Sequence, residues 1–226
     1  MDKQMLTVNV LHRGKKIGWQ GSTGTGFTLE HNSKQYFVTA QHVLEDFSRG
    51  KLDLFEQGDP IPKTFEVVGK SSTEEDIVVL RAEEQLSPTL PMPATCGGAG
   101  FGQRAFFLGF PYGYSLDDVY QVSLPLAKSA TLSHITKDNI LLDGLANPGF
   151  SGGPVVFQPQ EKTESNFCVA GIVTSYPVFE EPVFKMREGE QVEIEYFVEN
   201  NPGMIHVTPI EVAIHLIEQN QIGLPI

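Results

Sequence analysis

The chain is 226 residues long, with 40% hydrophobic and 19% charged residues, a composition that supports a buried core and excludes a disordered polypeptide. Sixteen Lys and Arg against 28 Asp and Glu leave a net charge of −12, which excludes the basic footprint of a nucleic-acid binder and opposes binding to anionic membranes. No apolar run approaches the roughly 18 residues of a membrane-spanning helix.

The N-terminal stretch MDKQMLTVNVLHRGKK has no apolar signal-peptide core and no small-residue cleavage site. Two cysteines, Cys96 and Cys168, build no disulfide framework. Both features set the expectation of a reducing, cytoplasmic home. Short runs rich in Val, Ile, Phe and Thr follow at 6–11, 26–29, 36–39, 77–82, 104–107, 119–124, 130–133, 139–142, 155–157 and 167–175. Each is of strand length, and turn residues separate them about every 8 to 15 positions, which predicts an all-β barrel or sandwich. One short helix is expected within 40–47. A better one is expected over 209–219, where Val212, Leu216 and Ile217 share a face behind Thr208 or Pro209. The Pro- and Gly-dense segment 87–102 reads as a linker between two β units.

Residues 178–201 hold seven Glu against Lys185 and Arg187, a net charge of −5. They read as a hairpin, with arms 183–187 and 191–198 flanking Glu188-Gly189-Glu190. Val192, Ile194 and Tyr196 alternate with Glu193 and Glu195. The plain reading is a solvated acidic hairpin. Its apolar face needs cover from the second β unit, a second copy of the chain or a regulatory protein partner.

Three features carry chemistry. Pro148-Gly149-Phe150-Ser151-Gly152-Gly153-Pro154 places a hydroxyl on a turn whose glycines let successive N–H groups converge. Phe37-Val38-Thr39-Ala40-Gln41-His42 places a His just past an apolar strand. Glu75-Asp76-Ile77-Val78-Val79-Leu80 opens another apolar strand with an acid. Singly, each is a commonplace: a hairpin bend, a satisfied structural His, a turn Asp. Together they give the order His42, Asp76, Ser151, a base, an orienter and a nucleophile for acyl transfer.

These motifs resemble the chymotrypsin-type serine protease superfamily, whose triad runs in the same chain order. Thr39-Ala40-Gln41-His42 is similar to its Thr-Ala-Ala-His motif, Asp76-Ile77-Val78-Val79-Leu80 to its Asp-Ile-Ala-Leu-Leu strand, and Gly149 to Pro154 to its Gly-Asp-Ser-Gly-Gly-Pro loop. Gly171-Ile172-Val173-Thr174 resembles the strand lining the specificity pocket, and Gly24-Thr25-Gly26-Phe27 the opening strand of bacterial members. The tail 203–209 with its helix resembles the end of the high-temperature-requirement protease domain. The resemblance implies two six-stranded Greek-key β-barrels with a short C-terminal helix: a first barrel over 1–88, a linker over 89–102 and a second barrel over 103–226. It implies a serine endopeptidase acting on protein or peptide substrates without a cofactor or metal. Ser151 is then the nucleophile, His42 the general base and acid, Asp76 the orienter, and the N–H groups of Gly149 and Ser151 the oxyanion hole.

Departures refine that expectation. Animal digestive members carry Asp just before the nucleophile, where it pairs with an N-terminus freed by zymogen cleavage. Here Phe150 stands there, so Lys16-Ile17-Gly18 reads as a strand start and activity is not expected to need cleavage. No peptide-binding domain is expected after the C-terminal helix. The position six residues before Ser151, an Asp in trypsin-like enzymes, is Leu145. With a buried Leu and no countercharge, the implied pocket of Leu145, Ala146, Asn147, Thr174, Ser175, Tyr176 and His206 favours an apolar or medium-sized uncharged residue over Lys or Arg. His206 either reaches the pocket base and accepts a polar group or is a core His of the last strand. The competing functional reading is a binding module on a protease fold. A metal or cofactor enzyme finds little support, since His12, His31, His134, His206 and His215 show no ligand spacing and no Gly-rich phosphate loop precedes a helix.

Overall fold

The structure, a computed structural model, describes residues 6–89, 92–114, 123–159, 167–187 and 189–226. Six strands build a first barrel: β1 (Gly14–Trp19), β2 (Ser22–His31), β3 (Lys34–Ala40), β4 (Arg49–Glu56), β5 (Asp59–Lys70) and β6 (Ile77–Ala82). Their order is β3-β2-β1-β4-β5-β6, and β3 pairs with β6 to close the ring. The fourth strand lies beside the first, as in a Greek key. Ile17, Phe37, Leu52, Leu54, Phe65, Val78 and Leu80 fill the interior. The closing register sets Ala40 opposite Ile77. The residues just after β3 and just before β6 therefore meet at one rim.

The second barrel is built from β7 (Arg104–Gly109), β8 (Leu126–Ile135), β9 (Ile140–Asp143), β10 (Pro154–Phe157) and β11 (Cys168–Ser175). A separate hairpin follows, β12 (Phe179–Arg187) with β13 (Glu190–Asn200), before β14 (Met204–Pro209) completes the barrel. The closed order is β10-β11-β14-β9-β8-β7, again with the fourth strand beside the first. A third apolar cluster joins the barrels. Val38 and Val79 of the first meet Leu108, Val156 and Ile172 of the second beneath Ile210, Ala213 and Ile217 of the C-terminal helix (Ile210–Gln219). The last strand, β15 (Leu224–Pro225), returns to the open start of β3.

The runs expected at 26–29, 36–39, 77–82, 104–107, 130–133, 139–142, 155–157 and 167–175 centre on strands, and the expected C-terminal helix is present. The run expected at 119–124 falls largely outside the described residues. The segment 6–11 is not a strand. Val8–Leu11 forms a single helical turn, α1, in which Thr7 accepts from the Val10 and Leu11 amides. Tertiary anchoring overrides its β-branched composition: Val10 enters the inter-barrel core, and Arg13 forms a buried 2.5 Å ion pair with Glu30. The helix expected within 40–47 is a 3₁₀ turn at Gln41–Leu44. Strands β4 and β5 were hidden in the sequence by Pro60 and Pro62. Only β4 pairs with that half of β5, because β6 joins from Phe65 onward, so the missing N–H groups fall on an open edge.

Glu211, in the first turn of the C-terminal helix, accepts from the Cys96 amide at 2.7 Å and the Cys96 thiol at 3.1 Å. Burial, then the Glu211 hydrogen bond and charge, push that thiol's pKa up to about 12. At about pH 8.5 its thiolate fraction is then roughly a thousandfold below that of an ordinary cysteine. Native protein is expected to react with iodoacetamide at Cys96 correspondingly slowly, and Glu211→Gln to speed it. Peptide mapping of the alkylated thiol checks both, and fast native labelling would refute the clamp.

Candidate active site

The barrel rim formed by the β3–β6 register brings His42 and Asp76 together. Asp76 holds the 3₁₀ turn in three ways. Its carbonyl accepts from the Gln41 amide at 2.9 Å, one carboxylate oxygen accepts from the His42 amide at 2.9 Å, and the other lies 2.6 Å from His42 Nδ1. An ionised carboxylate only accepts, so a neutral imidazole facing it carries its proton on Nδ1 and its lone pair on Nε2. The Asp76 backbone adopts φ +57°, a left-handed conformation uncommon outside glycine. It is fixed by the 2.9 Å bond from the Asp76 amide to Ser72 and by Thr208 of the second barrel, which donates to the Glu75 carbonyl at 2.7 Å. The His42 side chain is half exposed and Asp76 less so.

The second barrel supplies the turn ahead of β10. Phe150 anchors it, fully buried and edge-on to Phe107 with centroids 4.8 Å apart. Its apolar fill replaces an ion pair at that position. The Lys16–Ile17 bond correspondingly lies inside β1, paired on both sides near Ile17 by β2 and β4. Three contacts fix the peptides of the turn. The Pro148 carbonyl accepts from the Tyr112 amide at 2.9 Å, the Gly149 carbonyl from Thr25 Oγ1 at 2.7 Å, and the Ser151 carbonyl from the Thr25 amide at 2.9 Å. With the Pro148 carbonyl turned toward Tyr112, the trans peptide aims the Gly149 N–H the opposite way. The amides of Phe150, Gly152 and Gly153 donate to Asn147, Val173 and Phe150. The amides of Gly149 and Ser151 have no acceptor among the described residues. Gly149 has φ +102° and packs so closely on the Phe110 carbonyl that a Cβ would lie 2.3 Å away.

Ser151 thus stands where the barrels meet, its carbonyl on β2 and Gly152 against Thr39 and Ala40 at the start of the His42 turn. Among the described residues no hydrogen bond joins the Ser151 hydroxyl to the His42 ring. Such bonds commonly tighten only once substrate is bound.

The pocket residues expected from the sequence are partly gathered. Thr174 Oγ1 donates to the His206 carbonyl at 3.4 Å, and Ser175 stands opposite His206 in the β11–β14 register. Ala146 is buried in the second barrel core, and Tyr176 packs against the same cluster. Leu145 departs from the expectation of a buried side chain: it is 50% exposed, because its carbonyl, not its side chain, is turned inward to Lys128. Sequence reading missed Lys128. Its ammonium donates to the Leu145 carbonyl and, at 3.1 Å, to Asn147 Oδ1, and it sits 5.7 Å from the Phe150 ring centre. Burial lowers its pKa. A Lys in a strand of alternating exposure gives no signal of this contact. Thr25, which binds two residues of the turn, was legible only as part of the Gly24-Thr25-Gly26-Phe27 motif.

Comparison with known proteins agrees with this fold. Residues 24–162 match the trypsin-like peptidase domain family. The chain is 32% identical over 146 residues to a probable periplasmic serine endoprotease, DegP-like, of Chlamydia pneumoniae, covering 64% of this chain and 28% of that one. It is 31% identical over 143 residues to Protease Do-like 1, chloroplastic, of Arabidopsis thaliana, covering 61% and 30%. The chain therefore spans less than a third of the length of these curated relatives. Among solved structures, the HtrA-type protease AlgW with tripeptide superposes with a TM-score of 0.60 at 18% identity, over 93% of this chain and 60% of that one. The serine endoprotease from Yersinia pestis gives 0.58 at 16%, over 93% and 63%.

The expected cytoplasmic home is overturned by these relatives: those from Chlamydia pneumoniae and Chlamydia trachomatis are both named periplasmic. The inference from cysteines fails for a physical reason. An oxidising compartment joins thiols only where they meet in bonding geometry, and the Cys96 thiol is instead engaged by Ala170 and Glu211. On the match over 24–162, the chain belongs to the trypsin-like peptidase domain family.

Proposed function

We propose that this chain is a serine endopeptidase that cleaves protein substrates through His42, Asp76 and Ser151. The observation that carries the reading is the 2.6 Å contact of His42 Nδ1 with Asp76, which leaves the Nε2 lone pair free to take a proton. Ser151 Oγ attacks the scissile carbonyl carbon while His42 Nε2 takes its proton. Asp76 stabilises the resulting imidazolium. The carbonyl oxygen becomes an oxyanion received by the Gly149 and Ser151 amides, each worth about 3–4 kcal/mol in the transition state. Collapse expels the amine, protonated by His42, and leaves an acyl-enzyme that water hydrolyses with His42 again as base. No cofactor enters these steps. The residue before the scissile bond is apolar or uncharged and of medium size, received between 145–147, Thr174–Tyr176 and His206. A mixture-based peptide library cleaved by the protein tests this. Selection of apolar residues at that position supports the pocket, and selection of Lys or Arg refutes it.

Lys128 positions the turn without touching substrate. Its ammonium ties 145–147 to the barrel, so losing it frees the peptides that aim the Gly149 amide. Lys128→Met is expected to lower kcat about tenfold with little change in KM, since the oxyanion donors act chiefly on the transition state. Ethylamine or a similar small amine is expected to restore part of the rate to Lys128→Ala. An unchanged kcat refutes the role.

A further inference from the structure

We propose that the β12–β13 hairpin is a docking surface for a basic, apolar stretch of substrate polypeptide lying outside the cleft, an inference that rests on the peptidase reading above. The hairpin is anchored at the substrate pocket. It leaves β11 and returns into β14, neighbours in the second barrel. At its base Asn201 Nδ2 donates to the Ala146 carbonyl at 2.8 Å, and the Gly144 amide donates to the Gly203 carbonyl at 2.8 Å. Beyond that base its strands pair with each other and, among the described residues, with no other strand.

Register decides what each face carries. Pro182 stands opposite Phe197 and Phe184 opposite Glu193, and paired residues share a face. Phe184, Met186 and Phe197 therefore lie on the same side as Glu193 and the Glu180–Glu199 pair, while 194–196 fall in a register shift between Pro182 and Phe184. Those three apolar side chains are 51%, 67% and 60% exposed. Lys185, which is opposite Val192, projects from the reverse face, as does Arg187. One face is thus apolar and purely acidic, and among the described residues none of its glutamates is in an ion pair.

A two-stranded hairpin with both faces in water is marginal, and grouped exposed aromatics mark an interaction site. Charge selects the occupant. A second copy meeting this face across a two-fold axis would set glutamates against glutamates, on chains that each carry −12. A polypeptide alternating Lys or Arg with apolar residues matches both the carboxylates and the rings. The anchoring at Ala146 places such a segment next to the pocket that receives the scissile bond, so docking raises the local concentration of substrate there.

The test uses the full chain. Fluorescence anisotropy with the Ser151→Ala protein follows a labelled peptide of alternating Lys and Leu, and its acidic counterpart of alternating Glu and Leu. The basic peptide is expected to bind, with affinity falling about tenfold or more between about 50 and about 500 mM salt. The triple variant Glu180→Lys, Glu193→Lys, Glu199→Lys is expected to lose that binding, and Phe184→Ser with Phe197→Ser to weaken it. In the active protein the triple variant is expected to raise KM for a basic unfolded protein about tenfold while a short neutral peptide is cut at the parent rate. Absence of basic-peptide binding, or equal binding by the charge-reversed variant, overturns the docking surface. Hydrolysis of the short neutral peptide separates the two readings: if the parent protein cuts neither substrate yet binds the basic peptide, it is the peptidase reading that fails, and with it the identity of the occupant as substrate.

Discussion

Ser151→Ala and His42→Ala are each expected to abolish peptide hydrolysis, with kcat falling by at least about a thousandfold, while the melting temperature moves by only a few degrees. The size of the loss follows from the interdependence of nucleophile and base. In the proposed mechanism, the Ser151 hydroxyl without His42 has no acceptor for its proton, and without Ser151 no acyl-enzyme forms, so one loss is nearly as damaging as both. The modest stability change follows from what each side chain supports. The interdomain contacts of Ser151 use its backbone: its carbonyl accepts from Thr25, and this bond survives in alanine. His42 is half exposed, and its amide keeps its bond to Asp76 when the ring is gone. Steady-state hydrolysis and thermal melts of the two variants check this, and residual activity above about a tenth in either one would overturn the assignment.

Gly152→Ala is expected to be the most destabilising change in the Ser151 turn. Gly152 has φ +83°, and a Cβ there would lie 2.0 Å from the Thr25 carbonyl, 2.2 Å from Thr39 Oγ1 and 2.8 Å from the Ala40 amide. All three neighbours belong to the first barrel, and two are backbone atoms held by strand pairing, so the barrels must part for the methyl to enter. The left-handed backbone costs about 1–3 kcal/mol and the overpacking about as much again. For a chain of this size that is a fall of roughly 5–15 °C in melting temperature. Gly21→Ala is the control. It shares the conformation, φ +87°, but meets nothing within 4 Å, so it carries only the backbone part. Equal melting temperatures for the two variants would mean that the barrels do not close on Gly152 as described.

The sequence exposed the parts of this molecule whose chemistry is local. The apolar runs around Phe37, Val79 and Ile172 are buried wherever they sit, and each marks its strand. The Gly-rich turn around Ser151 is legible because its backbone geometry demands glycine at 149 and 152. The order of His42, Asp76 and Ser151 is legible for the same reason, since each stands at a strand end. What stayed hidden depends on partners distant in sequence. The VNVL turn reads as strand until Arg13 finds Glu30, and Pro60 and Pro62 read as breakers until the open edge of β5 is known. Lys128 looks like any surface lysine until the Leu145 carbonyl turns inward to meet it, and that same turn exposes the Leu145 side chain. The hairpin was visible as two arms and a charge. Its lack of cover is a property of the assembled fold, since only the placement of the second barrel leaves Phe184 and Phe197 more than half exposed.

Everything proposed for the cleft depends on Ser151 being an activated nucleophile in the intact chain. Labelling with a fluorophosphonate probe, followed by mass mapping of the modified peptide, tests this most directly, because an ordinary serine hydroxyl does not react. A single adduct is expected on Ser151, formed on chains still intact across the Lys16–Ile17 bond, lost in His42→Ala and present in Lys128→Met at a reduced rate. Absence of labelling in folded protein, an adduct at another serine, or labelling confined to chains that begin at Ile17 would contradict it.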